Sequence, residues 1–157
     1  MTERPTIDAS LMAIAQIWED RSTCSRGHVG AVIALDGRTI QSGYNGAPPG
    51  MDHCQHSVSE PRMVRRVTPK GLGLPVTNYE RGCQLSVHAE ANAIAHAARN
   101  GVSVIGATIY TTLSPCYPCS QLIIAAGLVR VVFNRSYRDP AGIDLLRRAG
   151  VQVDHLV

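Results

Sequence analysis

Two short stretches hold residue types that can do chemistry together. One is His88-Ala89-Glu90, in "SVHAEANAIAHAARN"; the other is Pro115-Cys116-Tyr117-Pro118-Cys119, in "SPCYPCSQLIIAAG". Each stands where a helical pattern begins. Cysteines three apart share one helix face, and the free N–H groups of a helix N-terminus favour thiolate over thiol. A Cys-x-x-Cys pair plus one histidine supplies three metal ligands. That leaves the fourth tetrahedral position open to water, the arrangement of a catalytic zinc. Glu90 would stand beside such a metal without ligating it, able to take a proton from the activated water and hand it on. Taken singly these features are weak: Cys-x-x-Cys also serves structural zinc knuckles and redox pairs, and a histidine at a helix start is often a cap or a surface residue. The combination of His-x-Glu at one helix start and Pro-Cys-x-x-Cys at the next is what points to hydrolytic zinc chemistry.

Two helix starts need a frame that makes them converge. Ile7 to Asp20 has apolar residues at 7, 11, 14, 15, 17 and 18, which is helical spacing. "HVGAVIALDGRTIQSGYNG" reads as two strands around the hairpin pair Asp36-Gly37. A helix is predicted at about 88–100, with Ala91, Ile94, Ala95 and Ala98 as its periodic apolar set and Asn100-Gly101 as its stop. "ATIYTTL" reads as a strand, and "SPCYPCSQLIIAAG" as a helix entered through Pro115 and closed by Gly127. "LVRVVFN", "PAGIDLLRRAG" and "VQVDHL" follow as strand, helix and short strand. The order predicts an α/β fold, a mixed sheet with helices on both faces. Residues 47–85 hold five prolines and no clear period, a long loop inserted into an otherwise regular chain.

The bulk numbers agree with one domain spanning 1–157. Hydrophobic content is 45% and charged content 17%, proportions of an ordered globular protein. The net charge of +3 suits a phosphorylated small ligand but not the basic stripe of a nucleic-acid binder. No apolar run reaches about 18 residues, so no membrane span is expected. The opening "MTERPTIDASLMAIAQ" has no signal-peptide pattern, which leads to the expectation of a cytoplasmic protein. Five cysteines, at 24, 54, 83, 116 and 119, make an odd set that favours metal ligation over disulfides.

"HAEANAI" and "TLSPCYPCSQLIIAAG" resemble the zinc-dependent cytidine and deoxycytidylate deaminase superfamily. Within it, "VGAVI" followed by "GYNGAPPG" is similar to deoxycytidylate (dCMP) deaminases. The likeness runs from about Cys24 to Val153, interrupted across 57–82. It implies a three-layer α/β/α fold around a mixed five-stranded sheet, with His88, Cys116 and Cys119 as zinc ligands and Glu90 as the proton shuttle. The implied reaction is hydrolysis of dCMP to dUMP and ammonia, supplying dUMP for thymidylate synthesis. The implied partners are a free nucleotide, dCTP and dTTP as effectors, and further copies of the chain in a hexamer.

The resemblance also bears on residues outside the metal motif. Asn45, ending the second hairpin strand, has an amide able to bond a hydroxyl and a base edge; the superfamily uses an Asn there for the nucleoside, although Asn-Gly is equally a turn pair. Ala47, Pro48 and Ser114 are expected to line the pocket, and Tyr137 falls where the family places residues near the nucleotide. Cys24 and Cys54 match the ligands of a second, structural Zn2+ in some family members, with Cys83 as a third. The fourth would be His56 or His53; spacing favours His56. Phosphate could be met by Arg62, Arg65, Arg66, Lys70 or Arg81 of the insertion, or by Arg99, Arg135 or Arg138. The rival function is a deaminase editing adenosine or cytidine in tRNA or another polynucleotide. It would need an aromatic, basic groove, and the chain has one Trp, one Phe and five Tyr. A purely structural zinc protein would leave Glu90 without a purpose.

Overall fold

The computed structural model describes residues 4–54 and 85–157. Most of the predicted 47–85 loop, with Cys83, His56 and the basic residues at 62, 65, 66, 70 and 81, lies outside them. Helix α1 runs Ile7–Glu19, strands β1 and β2 are Gly30–Leu35 and Arg38–Tyr44, and α2 is Ala89–Arg99. Then come β3 Thr108–Leu113, α3 Tyr117–Ala125, β4 Arg130–Arg135, α4 Ala141–Arg148 and β5 Gln152–His155.

The Asp36-Gly37 turn forms as its residue types require. Both residues have positive φ, 50° and 73°, as a two-residue hairpin turn of this kind demands. β1 then pairs antiparallel with β2 on one side and with β3 on the other. β3–β4 and β4–β5 pair in parallel, each connected through a helix. The result is a mixed five-stranded sheet in the order β2-β1-β3-β4-β5.

Side-chain alternation gives each sheet face its own core. Val32, Ala34, Tyr110 and Val132 meet Leu11, Met12 and Ala15 of α1. Ala31, Ile33, Ile109, Val131 and Phe133 face α2, α3 and α4 through Ala89, Ala93, Ala97, Ile123, Ile143 and Leu146. This is the expected three-layer arrangement. Two helix faces differ from their sequence reading. In α2 the buried positions are 89, 90, 93 and 97, whereas Ala95 and Ala98 are exposed. In α1, Met12 is buried, while Ile7 and Ile17 are 61% and 67% exposed. In an alanine-rich helix, hydrophobicity hardly varies around the axis, so the face is chosen by which side chains fit under the sheet.

α1 is also held by a polar cluster. Asp8 takes a two-pronged ion pair from Arg130 at 2.7 and 2.9 Å and a hydrogen bond from the Tyr110 hydroxyl at 2.7 Å. The Arg130 Nε donates to Asp154 at 2.7 Å. The guanidinium thereby ties α1 to β4 and β5, and the Tyr110 hydroxyl ties it to β3. The Arg130 hydrogen bond is the largest cause holding the Asp8 carboxyl below its usual value. Burial, then the bond to Asp8, pushes the Tyr110 hydroxyl up to about 12.

Candidate metal and active site

His88 is the N-cap residue of α2 and Cys116 that of α3, both in extended backbone conformation. Pro118 sits in the first turn of α3, where its missing N–H costs nothing. The turn brings Cys119 round to the same side as Cys116. The two sulfurs lie 3.3 and 3.4 Å from the Nδ1 of His88. Ligands at ordinary Zn–S and Zn–N distances in a tetrahedron stand about 3.6 Å apart. The three donors therefore already have close to the spacing one ion needs, and their soft, borderline character suits zinc. Among the described residues this is the group of His, Cys, Asp or Glu side chains that could hold a metal.

Glu90 lies in the first turn of α2 and is 4% exposed. Burial, the largest cause, raises its carboxyl from 4.5 to about 6, against the lowering effects of a backbone hydrogen bond, His88 and the Cys119 thiol. Such a carboxyl takes up and releases protons near neutrality. The thiols differ from each other. The hydrogen bond from Cys119 is the main cause drawing Cys116 down to about 4. The same bond, with burial and the Glu90 charge behind it, pushes Cys119 up. Without metal, the pair keeps a proton on Cys119 that an ion must displace.

The second hairpin strand reaches this site through a short bridge. Gly46 and Val87 exchange backbone hydrogen bonds of 3.1 and 2.8 Å, which places Asn45 to Ala47 beside the residue preceding His88. Asn45 is buried, and its side chain is committed locally. Oδ1 accepts from the Val29 N–H at 2.7 Å and from the Ser22 hydroxyl at 2.7 Å, while Nδ2 donates to the Gly27 carbonyl at 2.8 Å. Reversing the amide would set donor against donor, so this orientation is fixed. These bonds hold the 22–29 loop against the strand end. Thr23 adds to this by accepting from the Ala47 N–H at 3.2 Å.

On the other flank, Ser114 leads directly into Pro115-Cys116. It is buried, its N–H donates to the Arg135 carbonyl, and its Oγ accepts from the Tyr137 N–H at 2.7 Å. Tyr137 is therefore anchored at the end of β3 next to the cysteine loop. The Arg138 guanidinium lies 5.7 Å from the centre of its ring. Arg135, a candidate for phosphate, instead reaches Glu19 at 2.5 Å and the Thr112 carbonyl at 3.1 Å. Arg99 ends α2 and is exposed.

Cys24 and Cys54 form an isolated parallel bridge and are both buried, at 4% and 5%. His53 is exposed. Sequence reading missed Asn92, which donates to the Tyr44 carbonyl at 2.8 Å and ties α2 to the end of β2. A lone amide in an otherwise alanine-rich helix face was its available signal. Ser22 and Thr23, polar residues of an ordinary-looking loop, carried none.

A His/Cys/Cys triad at two helix starts with a buried carboxylate beside it, on a mixed α/β sheet, defines the class of zinc-dependent deaminases. Residues 5–135 match the cytidine and deoxycytidylate deaminase zinc-binding region. The deoxycytidylate deaminase of Mycobacterium phage D29 is 42% identical over 134 residues, covering 84% of this chain and 97% of its own. That of Enterobacteria phage T4 is 34% identical over 168 residues, covering 92% and 87%. A crystal structure of the dCMP deaminase from cyanophage S-TIM5, in complex with dCMP and dUMP, superposes with a TM-score of 0.78 at 28% identity, covering 98% and 99% of the two chains. The chain belongs to the cytidine and deoxycytidylate deaminase family.

Proposed function

We propose that the protein hydrolyses dCMP to dUMP and ammonia, with His88, Cys116 and Cys119 holding one catalytic Zn2+. The observation that carries this is the placement of Glu90, its carboxyl raised to about 6 by burial, beside a donor set spaced for zinc. The relatives named above, similar over most of their length, supply the nucleotide. When bound, zinc supplies Lewis-acid activation of water for attack at the amine-bearing C4 of the base. Glu90 removes the proton of that water, delivers it to N3 of cytosine and then helps protonate the departing amine. Burial keeps the carboxyl in the range where both directions of transfer are cheap. Ala47 and Ser114 border the site, Tyr137 faces the nucleotide, and Asn45 shapes the wall by holding the 22–29 loop, with one amide hydrogen left to offer the nucleoside.

A second, structural Zn2+ belongs to the same reading, with Cys24 and Cys54 as ligands and Cys83 and His56 completing the set. The backbone bridge that pairs these two buried, unlinked cysteines supports it. Four ligands would close the site and staple the insertion to the scaffold. The setting we propose is a cytoplasmic hexamer feeding thymidylate synthesis and answering to dCTP and dTTP. Among the described residues no helix is long and apolar enough to cross a membrane.

The test is a deamination assay across dCMP, cytidine, dCTP and a short tRNA stem-loop, with metal analysis of the same preparation. The expected result is turnover of dCMP and two zinc per chain. Turnover of the stem-loop without dCMP would overturn the substrate, and one zinc per chain would overturn the second site.

A further inference from the structure

Both ligand-bearing helix starts lean on a glycine that comes from elsewhere in the chain. Gly142, in the first turn of α4, lies against the cysteine loop. A Cβ there would overlap the Pro115 carbonyl oxygen and stand 2.8 Å from the Ser120 Oγ and 2.9 Å from the Cys116 carbonyl carbon. Gly43, in β2, lies under the first turn of α2. A Cβ there would stand 2.5 Å from both the Ala89 carbonyl oxygen and the Ala93 nitrogen, and 3.1 Å from the Ala93 Cα. The obstacles are mostly backbone, which cannot swing aside as a side chain does. Neither glycine has a positive φ, so close approach and not turn geometry is what each position demands.

The consequence falls on the ligands because each contact lies within a residue or so of one. The Cys116 carbonyl also accepts from the Ser120 N–H at 2.9 Å and from its Oγ at 3.1 Å, so displacing this segment moves the Cys116 sulfur with it. Displacing Ala89 moves His88 on one side and Glu90 on the other. Ligand atoms within 4.8 Å of one another need both helix starts at their present depth.

Resting on the zinc site proposed above, we infer that Gly142 and Gly43 are positioning residues that set the separation of the Cys116 and His88 helix starts, and so preorganise the metal site. Gly30 provides the comparison. A Cβ there would overlap the Ala15 carbonyl oxygen and stand 2.6 Å from the Glu19 nitrogen, an even tighter contact, but under α1 on the opposite face of the sheet. Crowding at Gly30 loosens the fold without touching a ligand.

The experiment compares full-length wild type with Gly142→Ala, Gly43→Ala, Gly30→Ala and Cys116→Ala, reading zinc affinity by chelator competition and the absorption spectrum of the cobalt(II)-loaded protein. The expected result is a loss of about ten- to a hundred-fold in zinc affinity for the 142 and 43 variants, with altered cobalt bands. Gly30→Ala keeps wild-type affinity and spectrum and shows only a lower melting temperature. Adding Ser120→Gly to Gly142→Ala does not restore affinity, because the Pro115 and Cys116 backbone still blocks the Cβ. Full restoration would overturn the inference, as would wild-type affinity in both glycine variants or an equal loss in Gly30→Ala. Unfolding of the 142 and 43 variants while Gly30→Ala folds would also overturn it, making them fold determinants instead. A wild type that binds no more metal than Cys116→Ala would overturn the zinc reading itself, a result distinct from the others.

Discussion

Glu90→Gln should separate stability from activity in opposite directions. The carboxyl is buried and its value is raised from 4.5 to about 6 by loss of hydration. The folded protein therefore binds this proton more tightly than the unfolded chain does. Ionised Glu90 opposes folding: the opposition is absent below about pH 4.5 and complete once the pH passes the folded value near 6. At neutral pH that interval corresponds to about 2 kcal/mol. Glutamine keeps the shape and removes the charge, so metal-free Glu90→Gln gains up to about 2 kcal/mol at pH 7, less whatever its buried amide loses in hydrogen bonds. The assay is urea denaturation of wild type and variant, both metal-free with thiols reduced, at several values between pH 4.5 and 7.5. Their difference should shrink toward zero at the acid end, and groups titrating alike in both cancel. The zinc-loaded variant should meanwhile lose about 10²- to 10⁴-fold in kcat with KM changed only a few-fold. A stability difference flat with pH would refute the burial argument. Near-full turnover would refute the proton-shuttle role.

Other perturbations follow from the same contacts. Asp8→Asn removes the Arg130 fork, a partly exposed pair that contributes at most about 1 kcal/mol. Because Arg130 holds Asp8 below its ordinary 3.8, this stability is present above that value and lost as pH falls through the lower folded one. Urea midpoints of wild type and variant should therefore converge in strong acid, and a constant gap would count against the pair. Asn45→Ala removes three bonds to the 22–29 loop and leaves the Val29 N–H without this acceptor, costing about 2–4 kcal/mol and raising KM for dCMP. An unchanged melting temperature would show that the loop is held otherwise. Zinc uptake by metal-free protein should release the Cys119 proton, so calorimetric proton release and an affinity that weakens on acidification are expected. Affinity independent of pH between 6 and 8 would contradict a thiol held protonated.

Much of this molecule is written locally. Asp36-Gly37 dictates its turn because those two residue types tolerate positive φ, whatever surrounds them. The strands and helices alternate in an order that leaves few ways to build a sheet. His88, Glu90, Cys116 and Cys119 were legible because metal chemistry needs rare residue types at short spacings on a helix start. Contacts between distant segments were not legible. The alanines of α2 look alike in sequence, and only packing under the sheet selected 89, 93 and 97 over 95 and 98. Asn45 could serve a ligand or a turn by type alone; its three loop bonds depend on where Ser22, Gly27 and Val29 fall in space. Gly142 looks like an indifferent helix residue until α4 is laid against the cysteine loop. Which groups could do the chemistry is legible before folding, because that is a property of residue type and near neighbours. Tertiary structure alone decided how close they come and what holds them there, because depth and separation are set by side chains and backbones that meet only after the chain has folded.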